Sequence, residues 1–135
     1  MKNTNKIELA MEVMRNAHKG QKRDDGTDYI LHPMYVADKF EDETLKVSAL
    51  LHDVVEDSNT TLEDLKQYGF SDEVIDIVDR LTKREDESYM DYLKRVIGNH
   101  KSWMIKIEDI KHNLSNHRPS NRKDKYELAL EYLRR

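Results

Sequence analysis

The sequence predicts an all-α fold: a single compact domain of about eight helices spanning residues 1–135. Three observations support this. Apolar residues recur every three or four positions nearly throughout, and no stretch shows a convincing two-residue alternation. Only two prolines and four glycines interrupt the pattern. Capping residues stand where several periodic segments begin.

The first helix is expected from about Lys6 to His18, with Ile7, Ala10, Met14 and Ala17 on one face and Gly20 beyond its end. QKRDDGTDYILHP then reads as a loop with Gly26 as a turn residue. Pro33 suits the first position of a second helix, running to about Phe40. A third helix carries LLHDVVED, Leu50 to Asp57. TTLEDLKQYG makes a short fourth, with Thr60 and Glu63 as a capping box and Gly69 as its stop. Ser71, followed by Asp72 and Glu73, starts a fifth that runs to about Leu81. After the polar loop KREDES, Ser88 caps a sixth ending near Gly98. The seventh, Lys101 to Ser115, lines Trp103, Ile107, Ile110 and Leu114 on one face. SNHRPSN is a loop, and Tyr126 to Leu133 closes the chain as an eighth helix.

A chain of 135 residues buries roughly two-thirds of its unfolded surface, enough for one core. Charged residues match hydrophobic ones at 37% each, which makes a strongly hydrated surface. A net charge of −4 argues against general nucleic-acid binding. The sign is uneven: His100 to Arg135 holds nine Lys/Arg against five Asp/Glu, so the rest is strongly acidic. The absence of cysteine excludes disulfides, thiolate metal sites and cysteine nucleophiles, and fits a cytoplasmic location. MKNTNKIELA lacks the apolar run of a signal peptide, and no segment approaches a membrane span, so no membrane partner is expected.

LLHDVVED places His52, Asp53, Glu56 and Asp57 among Leu50, Leu51, Val54 and Val55. Buried and unpaired, such groups would cost several kcal/mol. A solvated helix face avoids that cost, as do cationic partners or a divalent metal. His32, at the seam between loop and second helix, and Asp109, in IKIEDIKHN, extend the set. Two imidazoles and two carboxylates suit Mn²⁺, Fe²⁺ or another divalent ion better than a closed structural zinc site.

The blocks AHKGQKR, YILHP, LLHDVVED, LTK and IKIEDIKHN, in this order between Ala17 and Asn113, resemble the HD-domain metal-dependent phosphohydrolases. The resemblance is greatest to the hydrolase domain of Rel/SpoT proteins and their small stand-alone relatives. It implies that His32, His52, Asp53 and Asp109 bind Mn²⁺, and that Glu56 and Asp57 orient and activate the attacking water. It also implies that Arg23 packs by the nucleotide base and that Asn113 lines the nucleoside pocket. The reaction implied is removal of pyrophosphate from the 3′ position of (p)ppGpp, a small-molecule nucleotide. So anionic a substrate needs cations, for which Lys106 and Arg122 are candidates; Tyr126 is placed to stack or hydrogen-bond. His112 reads as a bystander, turned away around the helix from Asp109, and His18 as a core or cap histidine.

The chain departs from that branch at Asp24 and Asp25, where a basic residue often follows the arginine, at Asp28 and at Glu108. Two alternatives therefore stand beside the (p)ppGpp reading: hydrolysis of another nucleotide or phosphate ester, and a non-catalytic nucleotide-binding module.

Overall fold

The computed structural model describes residues 5–116 and 121–135, with side chains in those ranges except at positions 116, 121 and 122. Nine helices occur among the described residues: α1 (Lys6–Ala17), α2 (Leu31–Asp38), α3 (Glu43–Leu51), α4 (Val54–Asp57), α5 (Leu62–Gln67), α6 (Asp72–Leu81), α7 (Tyr89–Val96), α8 (His100–Asn116) and α9 (Asn121–Leu133). No strand occurs among them; the loop after α1 holds one isolated antiparallel bridge, Lys22 to Asp28. None of these helices is long and apolar enough to cross a membrane.

The centre of the fold is α3, which packs against α1, α2, α6 and α8. Leu45, Val47, Ser48, Ala49, Leu50 and Leu51 are all buried, as expected of a helix enclosed on nearly all sides. Helix α8 contacts α2, α3, α6, α7 and α9. Side chains from α2, α8 and the C-terminal end of α3 can therefore meet at one place. Asn5, Asp42, Ser71 and Ser88 cap α1, α3, α6 and α7 by accepting first-turn backbone N–H groups.

Helix α9 begins at Asn121, five residues before the expected Tyr126, and three other boundaries differ for reasons the local structure shows. Helix α2 starts at Leu31, which puts Pro33 at its third position. The first four N–H groups of a helix have no partner within it, so a proline there loses nothing. The capping box of α5 is Thr61 with Asp64, one residue later than Thr60 with Glu63. The Asp64 N–H donates to Thr61 Oγ1 and the Thr61 N–H to Asp64 Oδ2, each at 3.0 Å.

The third difference reaches the site. The helix expected to run through LLHDVVED breaks at His52–Asp53, which is why there is one more helix than predicted. The Ala49 carbonyl accepts from the His52 N–H at 3.3 Å and from His52 Nδ1 at 2.5 Å. A continuing helix would need that carbonyl for the Asp53 N–H. Asp53 instead adopts φ −108°, ψ 0°, in the sparsely populated bridge region where turn and active-site residues concentrate. The chain then makes the single turn of α4.

Candidate metal centre

Three elements deliver four ligand-type side chains. His32 comes from the first turn of α2, His52 and Asp53 from the break after α3, and Asp109 from the middle of α8. His32 Nε2 lies 2.6 Å from Asp109 Oδ1. His52 Nε2 lies 3.0 Å from Asp53 Oδ2 and 3.3 Å from Asp109 Oδ1. One donor atom from each of the four falls within 4.8 Å of all the others. Three of the residues are buried and Asp53 is nearly so.

Burial alone would lower the His52 pKa, but Asp53 and Asp109 outweigh it and hold the ring well above its usual value. Burial also opposes ionisation of Asp53, yet His52 beside it keeps that carboxyl well below the ordinary carboxylate range. Asp109 is held low in the same way, against burial, by the Lys106 ammonium and the two histidines. The cluster thus keeps both carboxylates ionised in a dry place.

A second layer fixes these groups. His52 Nδ1 faces the Ala49 carbonyl, which can only accept, so that nitrogen carries a proton; an ion displacing the Nε2 proton would meet a lone pair there. The Tyr29 hydroxyl donates to Asp53; burial and then the Asp53 charge hold its pKa far above the usual phenol value, so it remains a donor. Lys106 Nζ sits 2.9 Å from Asp109 Oδ2 and 5.1 Å from the Tyr92 ring centre. Lys106 was expected to bind substrate; its ammonium is engaged by Asp109.

Beside the cluster opens a polar pocket of about 360 Å³, whose lining includes Glu56, Asp57, Lys83, Asn113, Lys125 and Tyr126 as well as Asp53, Lys106 and Asp109. Glu56 accepts the Lys83 N–H at 3.3 Å. Glu56 and Asp57 remain open to solvent, but desolvation and the charge of Asp53 raise their carboxyls to about 7 and about 6. Carboxyls with pKa values near neutrality are suited to accepting a proton in that range.

Arg23 and Asn113 meet each other: Arg23 Nη2 donates to Asn113 Oδ1 at 3.1 Å. Asn113 Nδ2 faces Asp109 Oδ1 at 3.4 Å. Arg23 lines a second recess of about 490 Å³, together with Asp25, Leu31, Tyr35, Asp38 and His112. Arg122 lies outside the described side chains.

His18 is the buried C-cap of α1, with Nδ1 2.9 Å from Gln21 Oε1. His112 is no bystander. Its Nδ1 lies 2.7 Å from His32 Nδ1, and its ring stacks on Tyr35 at 3.9 Å. Burial, then His32 and Arg23, push its pKa down to about 4, so the ring is neutral near pH 7. Its spacing from Asp109, three positions on a helix, was the available signal, because i and i+3 are surface neighbours. Tyr29 and Tyr92 have no such spacing signal; only the tertiary fold places them.

The sequence matches the HD domain family over residues 10–132. The chain belongs to the HD-domain family. Among curated relatives, this HD domain is 36% identical over 105 residues to the guanosine-3′,5′-bis(diphosphate) 3′-pyrophosphohydrolase of Vibrio cholerae, covering 73% of this chain and 15% of that protein. It is also 36% identical over 112 residues to the bifunctional (p)ppGpp synthase/hydrolase SpoT of Escherichia coli, covering 78% and 16%. The chain thus spans about a sixth of the length of these relatives. A solved structure described as a metazoan ortholog of SpoT that hydrolyzes ppGpp superposes with a TM-score of 0.76 at 22% identity, covering 98% of this chain and 85% of that one. That likeness establishes a shared fold.

The donor set suits a divalent ion. Bonds of about 2.1 Å put ligand atoms on opposite sides of an ion roughly 4.2 Å apart, close to the 4.8 Å spread found here. Two carboxylates would balance a 2+ charge.

Proposed function

We propose that this HD domain is a metal-dependent phosphohydrolase that removes pyrophosphate from the 3′ position of (p)ppGpp or a closely related nucleotide in the cytoplasm. The observation that carries this reading is the intact His32, His52, Asp53 and Asp109 cluster opening onto the pocket that holds Glu56 and Asp57. The names of the curated relatives support the substrate.

His32, His52, Asp53 and Asp109 would hold the ion, with Mn²⁺ the first candidate and Fe²⁺ or another divalent metal the alternatives. When bound, such an ion supplies an acidified water and charge neutralisation at a phosphoryl oxygen. The chain's own groups do the rest. Glu56, with Asp57, accepts the proton of the attacking water. The water oxygen bonds to the phosphorus attached to O3′, the P–O3′ bond breaks, and O3′ leaves with a proton. GDP or GTP and pyrophosphate result. Lys83, Lys106 and Lys125 bring positive charge to the pocket wall, and Arg122 stands as a further candidate cation for the substrate. Arg23 and Asn113 meet the nucleoside, and Tyr126 stacks or hydrogen-bonds beside it.

A second substrate is favoured by one observation. Asp25 and Asp38 share the recess with Arg23, which makes a base pocket there less cationic. Another nucleotide or phosphate ester is the substrate in that case.

Manganese-loaded protein incubated with ppGpp, nucleoside triphosphates and monophosphates separates these outcomes. Release of pyrophosphate from ppGpp, lost in Asp53→Ala and slowed in Glu56→Ala, supports the first reading. Turnover of another compound with ppGpp inert supports the second. No turnover by metal-loaded protein leaves a binding module and refutes both.

A further inference from the structure

We propose that His112 is a positioning residue whose Nδ1 accepts the proton of His32 Nδ1 and so fixes the tautomer in which His32 Nε2 binds the ion. The proposal rests on the assignment of His32 as a ligand.

The geometry is specific. The two Nδ1 atoms are 2.7 Å apart, the rings are within 7° of parallel, and their centres are 5.0 Å apart. Face-to-face rings could not bring two nitrogens so close with centres so distant. The rings therefore lie edge to edge, nearly in one plane, where an N–H points at a neighbouring nitrogen lone pair. A single proton sits between the two nitrogens.

Chemistry decides which nitrogen carries it. A ligating imidazole must present a lone pair, so its other nitrogen bears the hydrogen. His52 meets this requirement through the Ala49 carbonyl, which can only accept. His32 has no carbonyl in that position; the partner of its Nδ1 is His112. An imidazole can accept or donate, so His112 must itself be held. Tyr35 stacks on it at 3.9 Å and 14°, which sets the plane of the ring.

The test compares two variants. His112→Asn keeps an acceptor where Nδ1 stood, whereas His112→Phe keeps the aromatic face on Tyr35 and removes the acceptor. Manganese dissociation constants are read by calorimetry. The expected result is about a 10- to 100-fold weakening in His112→Phe, the range typical of losing such a partner, with affinity largely retained in His112→Asn. A nitrogen-15 NMR spectrum of zinc-loaded wild-type protein reads the tautomer directly and does not depend on either variant folding. It should find the proton on His32 Nδ1, with His112 Nδ1 bare. Wild-type affinity in His112→Phe, equal loss in both variants, or a proton on His112 Nδ1 overturns the proposal while leaving the metal centre intact. A wild-type protein with no affinity for manganese or zinc overturns both.

Discussion

Replacing Lys106 by Met separates structural from functional charge in the centre. The ammonium lies 2.9 Å from Asp109 Oδ2, with the side chains 12% and 5% exposed. At that distance and an effective dielectric near 20 the attraction is about 6 kcal/mol before desolvation is subtracted. Stripping one partner from a buried pair typically costs about 3–5 kcal/mol. The low end applies, because Asp109 keeps His32 at 2.6 Å and Asn113 at 3.4 Å, and Met retains most of the lysine's packing against Tyr92. A loss of about 3 kcal/mol lowers the melting temperature of a domain this size by roughly 10 °C. Circular dichroism melts of the metal-free protein measure it. Manganese affinity moves the other way and rises, since a competing cation has gone. An unchanged melting temperature, or weaker manganese binding in Lys106→Met, would refute the ion-pair reasoning.

Two further predictions concern the pocket rim. Glu56 and Asp57 have folded-state pKa values raised from 4.5 to about 7 and from 3.8 to about 6. The unfolded chain releases these protons first, so metal-free stability falls as pH rises across that window and levels off above it. Urea melts between pH 4 and 8 should show the decline, reduced in Glu56→Gln; a rise over that range contradicts the assignment. Arg95 ties the α6–α7 loop by pairing with Glu87 at 2.6 Å and donating to the Asp79 and Thr82 carbonyls, and Lys83 in that loop donates its N–H to Glu56. Arg95→Met should therefore speed amide exchange at 82–88 and lower kcat with manganese affinity unchanged; unaltered exchange there rules out the tether.

The all-α fold was legible because helix periodicity and capping residues are local properties. The errors were local too. Pro33 serves at the third helical position as well as at the expected first, and the cap falls on Thr61, one residue beyond the expected Thr60. The four donors of the centre were legible only through their motif blocks, since nothing in the spacing of His32, His52 and Asp109 says that α2, α3 and α8 converge. The break at His52 was illegible for a different reason: it depends on a side chain capturing the Ala49 carbonyl, which periodicity does not encode. His112 was misjudged on helix geometry that was available, its position three residues from Asp109. That Lys106, a candidate cation for the substrate, also pairs with Asp109 one turn along α8 depends on the rotamers of two long side chains, which spacing does not encode.

The metal centre itself is tested most directly by metal analysis. After equilibrium dialysis against Mn²⁺, wild-type protein and Glu56→Gln should each retain a single ion per chain, and Asp53→Asn and Asp109→Asn should retain almost none. Wild-type protein that keeps no manganese, or an Asp53→Asn variant that keeps as much as wild type, would contradict the account.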